Sequence, residues 1–370
     1  QDAFGGRKTT TKVICSDCNN RFGGSIDRKF SEQVSVVRNM LGLHSGSGDA
    51  PPIIRKIKTE RGLFNIESNG EARRFQKPFS VELLEDGTKT LRINAKSFDD
   101  IKKHLPNMAA AIGVTEDEIL ERFTRTSFLS TETKPGTGTL ELNFNETSVR
   151  AAAKACLVLW STLTGNIETR SEPFRAVRQF VLEGSDDFLR LSAAFDARLI
   201  PNLAEIQEKY GTFFNMIHVC SSVDGKLIGH FTLYNLLAFS VTLASEGATA
   251  NKSITLFSNP RNPSTWKVEI CDPVAPCFEW LETPSCPTHL LQSRAAPVLE
   301  HHRNESGLRA LNKIIDQIIS DMGLDPDSIL SKEQESELVN RLADRMARLV
   351  LDLPYTQEFD GNVIVSRLKE

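Results

Sequence analysis

The sequence is short of several features that would each have named a function class. Its longest apolar stretches are broken by polar residues within about 10–12 positions, against the ~20 that a membrane helix needs, so no membrane span is expected. It has no phosphate-binding loop of the G-x-x-x-x-G-K-[ST] type, no G-x-G-x-x-G turn and no G-x-S-x-G elbow. These absences argue against P-loop nucleotide hydrolysis, dinucleotide binding and α/β-hydrolase chemistry. There is no internal repeat, no low-complexity segment and no signal-peptide pattern. The seven cysteines form no repeating framework, and their odd number argues against a disulfide scaffold. A reducing, cytoplasmic setting is therefore expected. There is also no strong excess of charge. With 44 Lys and Arg against 48 Asp and Glu, the net charge is −4, so any contact with nucleic acid must come from a local basic patch.

What is present is ordinary for a globular chain: 40% hydrophobic and 25% charged residues over 370 positions, enough for two or three domains with sizeable cores. Residues 1–42 read as one unit. Gly5-Gly6 marks a turn, residues 9–14 are largely β-branched and predict a short strand, and Cys15-Ser16-Asp17-Cys18 is a tight knuckle. Phe22, Ile26, Phe30, Val34, Val37 and Leu41 then recur at steps of three and four, which predicts a helix. Gly23-Gly24 falls inside it and predicts irregularity in its first turns. Residues 43–52, rich in Gly, Ser and Pro, predict a linker.

Residues 53–300 predict a mixed α+β domain. Residues 62–66, 79–83, 90–94 and 139–144 alternate apolar and polar as strands do, with a turn at Asp86-Gly87. Helices are predicted near residues 99–105 and 115–122, the second opened by the capping box Thr115-x-x-Glu118. Residues 148–164 are apolar on nearly every side of a helical wheel, which predicts a buried helix ending at Gly165. A further helix is predicted over residues 174–182, ending near Gly184. Residues 215–221 and 226–231 flank Asp224-Gly225 and predict a hairpin at the centre of the domain. Residues 233–244 fit either a third strand or a buried helix. Residues 301–370 predict a helical C-terminal segment.

Chemistry-bearing residues are densest in residues 4–30. Two cysteines separated by two residues make half of a tetrahedral zinc site. No second C-x-x-C occurs in the chain, so the residues alone leave open a zinc pair or two incidental cysteines. The order Gly-Gly, strand, Cys-x-x-Cys-Asn-Asn and a helix bearing basic residues resembles the HNH endonuclease family, in its subgroup with two C-x-x-C pairs. The resemblance covers residues 1–42. It implies a partial ββα-metal module and a metal-dependent DNA endonuclease. Cys15 and Cys18 then match the second pair of a structural zinc site. Asn19 matches the last residue of the motif, a ligand of the catalytic magnesium or manganese, with Asn20 as an alternative. The family's middle Asn would fall near residues 9–11, where this sequence has threonines. The general-base His would fall before Phe4, so the chain as written is expected not to cleave DNA.

Residues 1–42 hold seven Lys and Arg against four Asp and Glu, a local surplus suited to phosphate contacts. Arg7, Lys8, Lys12, Arg21, Arg28 and Lys29 are the expected DNA contacts, and a solvated helix face is the bland reading of the same charges. A non-catalytic zinc knuckle bracing a DNA- or protein-binding protein is the competing expectation. Elsewhere, Cys271, Cys277, Cys286 and His289 lack a recognised zinc spacing and read as loop residues beside Trp280. His301-His302 reads as surface. His218 and His230, on the predicted hairpin, read as satisfied core or edge histidines. Asp186-Asp187 and the pair Asp325 and Asp327 read as helix caps.

Overall fold

The computed structural model describes residues 13–60, 62–75, 77–83, 85, 87, 89–93, 98–121, 144–325, 329–351 and 367–368. In chain order these form α1 (Ser16–Phe22), a π-helical turn (Gly23–Asp27), α2 (Arg28–Gln33), α3 (Ser35–Met40), β1 (Ile54–Thr59), β2 (Gly62–Ile66), β3 (Ala72–Arg74), β4 (Phe79–Leu83) and β5 (Lys89–Ile93). There follow α4 (Phe98–Ile112), α5 (Glu116–Glu121), α6 (Glu146–Thr164), α7 (Asn166–Arg170), a 3-10 turn (Glu172–Phe174), α8 (Arg175–Glu183), α9 (Asp186–Ser192), β6 (Ala193–Phe195) and α10 (Leu203–Tyr210). The rest are β7 (Asn215–Ser221), β8 (Leu227–Leu233), β9 (Leu237–Ala244), β10 (Ser253–Asn259), β11 (Asn262–Ile270), α11 (Phe278–Leu281), α12 (Thr288–Asp321), α13 (Lys332–Leu351) and β12 (Arg367–Leu368). The protein is mixed α+β with several sheets. Among the described residues no helix is long and apolar enough to cross a membrane.

The chain divides into two units that cut across sequence order. The first comprises residues 1–54, 66–71 and 140–306; the second, residues 55–65, 72–139 and 307–370. No cut falls at residue 42, and the cuts after residues 54 and 306 lie near the expected 53 and 301, but each unit gathers segments from several parts of the chain. The reason lies in the core. The six apolar positions that predict a helix after the knuckle are all buried, Val34 completely, and they join one hydrophobic cluster with α6 and the sheet beside it. A face this apolar needs a partner surface, and residues 1–42 find theirs in residues 140–306. The expected linker is held too. The buried Arg38 guanidinium donates to the carbonyls of Leu43, Asp49 and Ala50, and Asn39 donates to the Pro52 carbonyl at 2.7 Å.

The first unit is built on an antiparallel six-stranded sheet in the order β11-β10-β7-β8-β9-β6. The predicted hairpin forms with Met216 opposite Thr232 and Ser221 opposite Leu227, and it occupies the middle of the sheet. Gly225 takes φ +78° at its turn, where a Cβ would stand 2.7 Å from the Ala248 carbonyl oxygen. The open choice over residues 233–244 resolves as strand: Leu233 ends β8 and residues 237–244 form β9 between β8 and β6.

Because side chains alternate along a strand, the sheet has two different faces. Ile217, Val219, Phe231, Val241 and Ile254 belong to the large core shared with α6. That helix starts at a capping box made by Asn145 and Ser148, ends at Gly165, and buries Ala152, Ala153, Cys156 and Trp160. Met216 and Phe257 belong to a separate cluster on the other face, with Tyr210 and Phe214. The sequence showed two apolar strands here but not which residue went to which face.

In the second unit, β4 and β5 pair as the hairpin expected around Asp86-Gly87; Asp86 lies outside the described residues, and Gly87 has φ +81°. Helix α4 packs against this hairpin around Leu91, Leu105 and Met108, and continues through Pro106 well past the predicted end. The Thr115–Glu118 capping box closes reciprocally, the Glu118 amide donating to Thr115 Oγ1 at 3.2 Å and the Thr115 amide to Glu118 Oε2 at 2.7 Å. Strand β12 pairs with β5, so the C-terminal segment is helical only in part. Asp186 and Asp187 sit in the first turn of α9, whose cap is Ser185. The strand expected at residues 139–144 falls outside the described residues except for Phe144, as does Asp327.

Candidate functional site

The knuckle forms at the start of α1. Of the strand expected before it, only Val13 and Ile14 lie within the described residues, and they form a bend rather than a strand. Cys15 caps the helix. Its backbone is extended, and its Sγ accepts a hydrogen bond from the Cys18 N–H at 3.3 Å. This is the ordinary N-cap geometry with sulfur in place of a hydroxyl. The neighbouring thiols influence each other's ionisation: Cys18 lowers the Cys15 pKa, and Cys15 raises that of Cys18. The backbone N–H of Cys18 adds to the effect at Cys15. Cys15 is exposed and Cys18 partly buried, and both are free thiols.

Asn19 is one residue further on and exposed, with its backbone N–H donating to the Cys15 carbonyl at 2.9 Å. The helix does not break at Gly23-Gly24. It widens into the π-helical turn and continues into α2, so the expected irregularity takes a defined form. One extra residue per turn rotates the helix face, and this brings Phe22, Ile26 and Phe30 all into the core.

Arg21, Arg28 and Lys29 are exposed. Two of them already have protein partners: Arg21 Nη2 donates to the Leu182 carbonyl at 3.3 Å, and Arg28 pairs with Glu32 at 3.0 Å. Arg7, Lys8 and Lys12 lie outside the described residues. Lys154 from α6 pairs with Asp27 and places its ammonium 5.4 Å from the Phe22 ring, tying the end of the π turn to the core. Among the described residues no three His, Cys, Asp or Glu side chains come together as a metal-holding group. The described donors thus supply two thiols and no more, which fits half of a tetrahedral zinc site.

A second concentration of functional groups lies on the other face of the sheet, where the sequence pointed only to two histidines. Register places Thr255, His218, His230 and Ser240 side by side across β10, β7, β8 and β9, and all four are buried. His218 Nδ1 and Thr255 Oγ1 are 2.8 Å apart; His230 Nδ1 and Thr232 Oγ1 are 3.3 Å apart.

Asp196, just after β6, is completely buried and receives Arg198 in a two-pronged pair, Nε to Oδ1 at 2.9 Å and Nη2 to Oδ2 at 2.6 Å. His230 Nε2 is 3.5 Å from Asp196 Oδ2. The Arg198 guanidinium stacks 3.9 Å from the Trp280 ring centre, and Trp280 meets His230 edge-on at 5.2 Å. Burial pushes His218 down to about 3. Burial likewise lowers His230, against the opposing pull of Asp196. Asp196 is held well below the usual carboxylate range: burial acts to raise it, but the two-pronged bond from Arg198 and the nearby His230 ring outweigh that. The histidines are therefore neutral and the aspartate ionised at neutral pH.

Sequence reading missed Asp196, Arg198 and Arg294 because they come from segments with no motif between them. The one available signal was the charged pair Asp196-x-Arg198 directly after an apolar strand. The loop cysteines Cys271, Cys277 and Cys286 are exposed and free. His302 is not a surface residue: it is half-buried, with Nδ1 3.2 Å from the Met40 carbonyl oxygen. No protein-family model, no curated protein and no solved structure matches the chain.

Proposed function

We propose that residues 1–42 are the latter part of an HNH-type, ββα-metal nuclease module, and that the protein is a cytoplasmic, metal-dependent DNA endonuclease. The observation that carries this reading is the knuckle: two free thiols at one helix start, the Cys15 sulfur capping the helix at the Cys18 N–H, with Asn19 exposed immediately beyond. Cys15 and Cys18 would hold zinc together with two further ligands. Zinc of this kind braces a fold and contributes directly to folding. Asn19 would hold the catalytic magnesium or manganese through its amide oxygen, a hard donor suited to either ion. The ion, when bound, stabilises charge on the scissile phosphate and the leaving oxygen. The chain's own part is positional: Cys15 fixes the start of α1, and the buried Phe22, Ile26 and Phe30 fix the helix that carries Asn19 and the exposed Lys29.

A second reading has its own support. Arg21 and Arg28 are engaged by Leu182 and Glu32, and the whole helical run shares the core of a larger unit. This favours a non-catalytic zinc knuckle that braces a DNA- or protein-binding protein. Plasmid nicking by the full gene product separates the two. Magnesium- or manganese-dependent nicking that Asn19→Ala abolishes, with zinc content unchanged, supports the nuclease. Zinc binding and DNA binding without any nicking supports the brace. Nicking that survives Asn19→Ala removes Asn19 from the catalytic ion.

A further inference from the structure

The second face of the six-stranded sheet holds a charge that its neighbours do not balance. Two guanidiniums, Arg198 and Arg294, share a single carboxylate, Asp196, and the two histidines beside them are neutral. Arg198 is matched by its two-pronged pair with Asp196. Arg294, only 4% exposed, donates Nη1 to the Asp196 backbone carbonyl at 3.0 Å, a neutral acceptor. Among the described residues its Nε and Nη2 have no hydrogen-bond partner. His230 Nε2, at 3.5 Å from Asp196 Oδ2, closes no hydrogen bond either. Cys286 is within electrostatic reach of Arg294 but is itself exposed. A buried guanidinium whose nearby carboxylate is already paired with another arginine, and whose own donors are unmet, is costly for a fold to carry.

Nε and Nη2 form one edge of the guanidinium, the edge whose parallel N–H groups match two oxygens of an oxyanion. The cluster also lies close to solvent. At its edge Arg198 stacks on Trp280, its side chain 16% exposed, and reaches Thr283 Oγ1 at 2.9 Å. We propose that this cluster is a binding site for a compact oxyanion, a small carboxylate or inorganic phosphate, held by the free edge of Arg294 with His230 beside it. The anion neutralises the surplus positive charge and supplies the acceptors that Arg294 lacks. The site does not depend on the nuclease reading, and it lies on different elements from the knuckle.

The test is thermal unfolding and tryptophan emission of the full chain near neutral pH. Sodium phosphate and sodium acetate are titrated separately against sodium chloride at constant ionic strength. The expected result is a saturable rise in Tm with phosphate or with acetate but not chloride, and the anion that acts identifies the ligand class. A parallel change in emission should disappear in Trp280→Phe while the Tm rise persists. Arg294→Met, which keeps the apolar stem, should weaken binding roughly 10- to 100-fold, as loss of a charge-assisted pair does. No saturable rise with either oxyanion, an equal rise in chloride, or an unchanged affinity in Arg294→Met overturns the proposal. Should Arg294→Met fail to fold, the parental protein decides: a Tm rise without any change at Trp280 puts the anion elsewhere and overturns it as well.

Discussion

Replacing Gly229 by alanine probes a close contact between α6 and the sheet, against Cys156. A Cβ at Gly229 would stand 2.6 Å from Cys156 Cβ, 2.8 Å from Cys156 Sγ and 3.3 Å from Leu243 Cδ1. Apolar carbons are at their best near 3.5–4.0 Å, so the two surfaces must part by about 1 Å. Neither side gives easily. Cys156 Cβ is fixed to the backbone of a buried helix, and β8 is hydrogen-bonded to strands on both sides. Overpacking of this kind costs about 1–3 kcal/mol. For a unit of this size that corresponds to a Tm loss of roughly 2–12 °C.

The assay is thermal unfolding followed by tryptophan emission, because Trp160, Trp266 and Trp280 all belong to the first unit. Cys156→Gly should destabilise alone, through loss of packing and a glycine in a helix. In the double variant the new methyl occupies the vacated space, so its loss should fall short of the sum of the two single losses by about 0.5–3 kcal/mol. A Gly229→Ala protein that melts like the parent, or a double variant whose losses simply add, would refute the close packing of α6 on β8.

Acid should unfold the protein through the second sheet face. His218 and His230 take up protons in the unfolded chain near their ordinary pKa but not in the folded one, so stability is full above about 6.5 and falls with each step below it, by up to ~1.4 kcal/mol per pH unit for each histidine. Asp196, ionised and paired in the fold, adds a further loss as the pH drops below the ordinary carboxylate range. Urea denaturation across pH 7.5 to 4.5 checks this; His218→Gln should flatten the slope, and a stability that does not change between those limits contradicts it. Trp160→Ala should cost about 3–5 kcal/mol. Trp160 is fully buried and its Nε1 donates to Glu168 Oε1 at 3.1 Å, so Glu168, which also accepts from Thr249, loses a partner as well; a loss under 1 kcal/mol by chemical denaturation would exclude a central role for this side chain.

Local features were legible in the sequence wherever one short segment sets its own geometry. The helical spacing from Phe22 to Leu41, the Asp224-Gly225 hairpin, the capping box at Thr115 and the apolar wheel of α6 all depend on residues within a few turns of one another. The grouping of segments into units was not legible, because the apolar face of residues 22–41 announces a need for burial but not the partner that meets it. Periodicity also left residues 233–244 undecided between strand and helix; the pairing of residues 237–244 with β8 and β6 decides it. The polar cluster was invisible for the same reason. Asp196, His230, Trp280 and Arg294 are far apart in the chain, each unremarkable in its own stretch, and only the register of the sheet and the packing of α11 and α12 bring them together. The knuckle was the exception, a short motif whose two cysteines stand within one helical turn, Cys15 Sγ taking the Cys18 N–H.

The proposed function rests on that knuckle, and its most direct test is the zinc stoichiometry of the full gene product, measured by native mass spectrometry and metal analysis on the parent and on a Cys15→Ser/Cys18→Ser variant. The account predicts one zinc per chain in the parent and none in the variant. A parent that binds no zinc, or a variant that keeps it, would contradict the account.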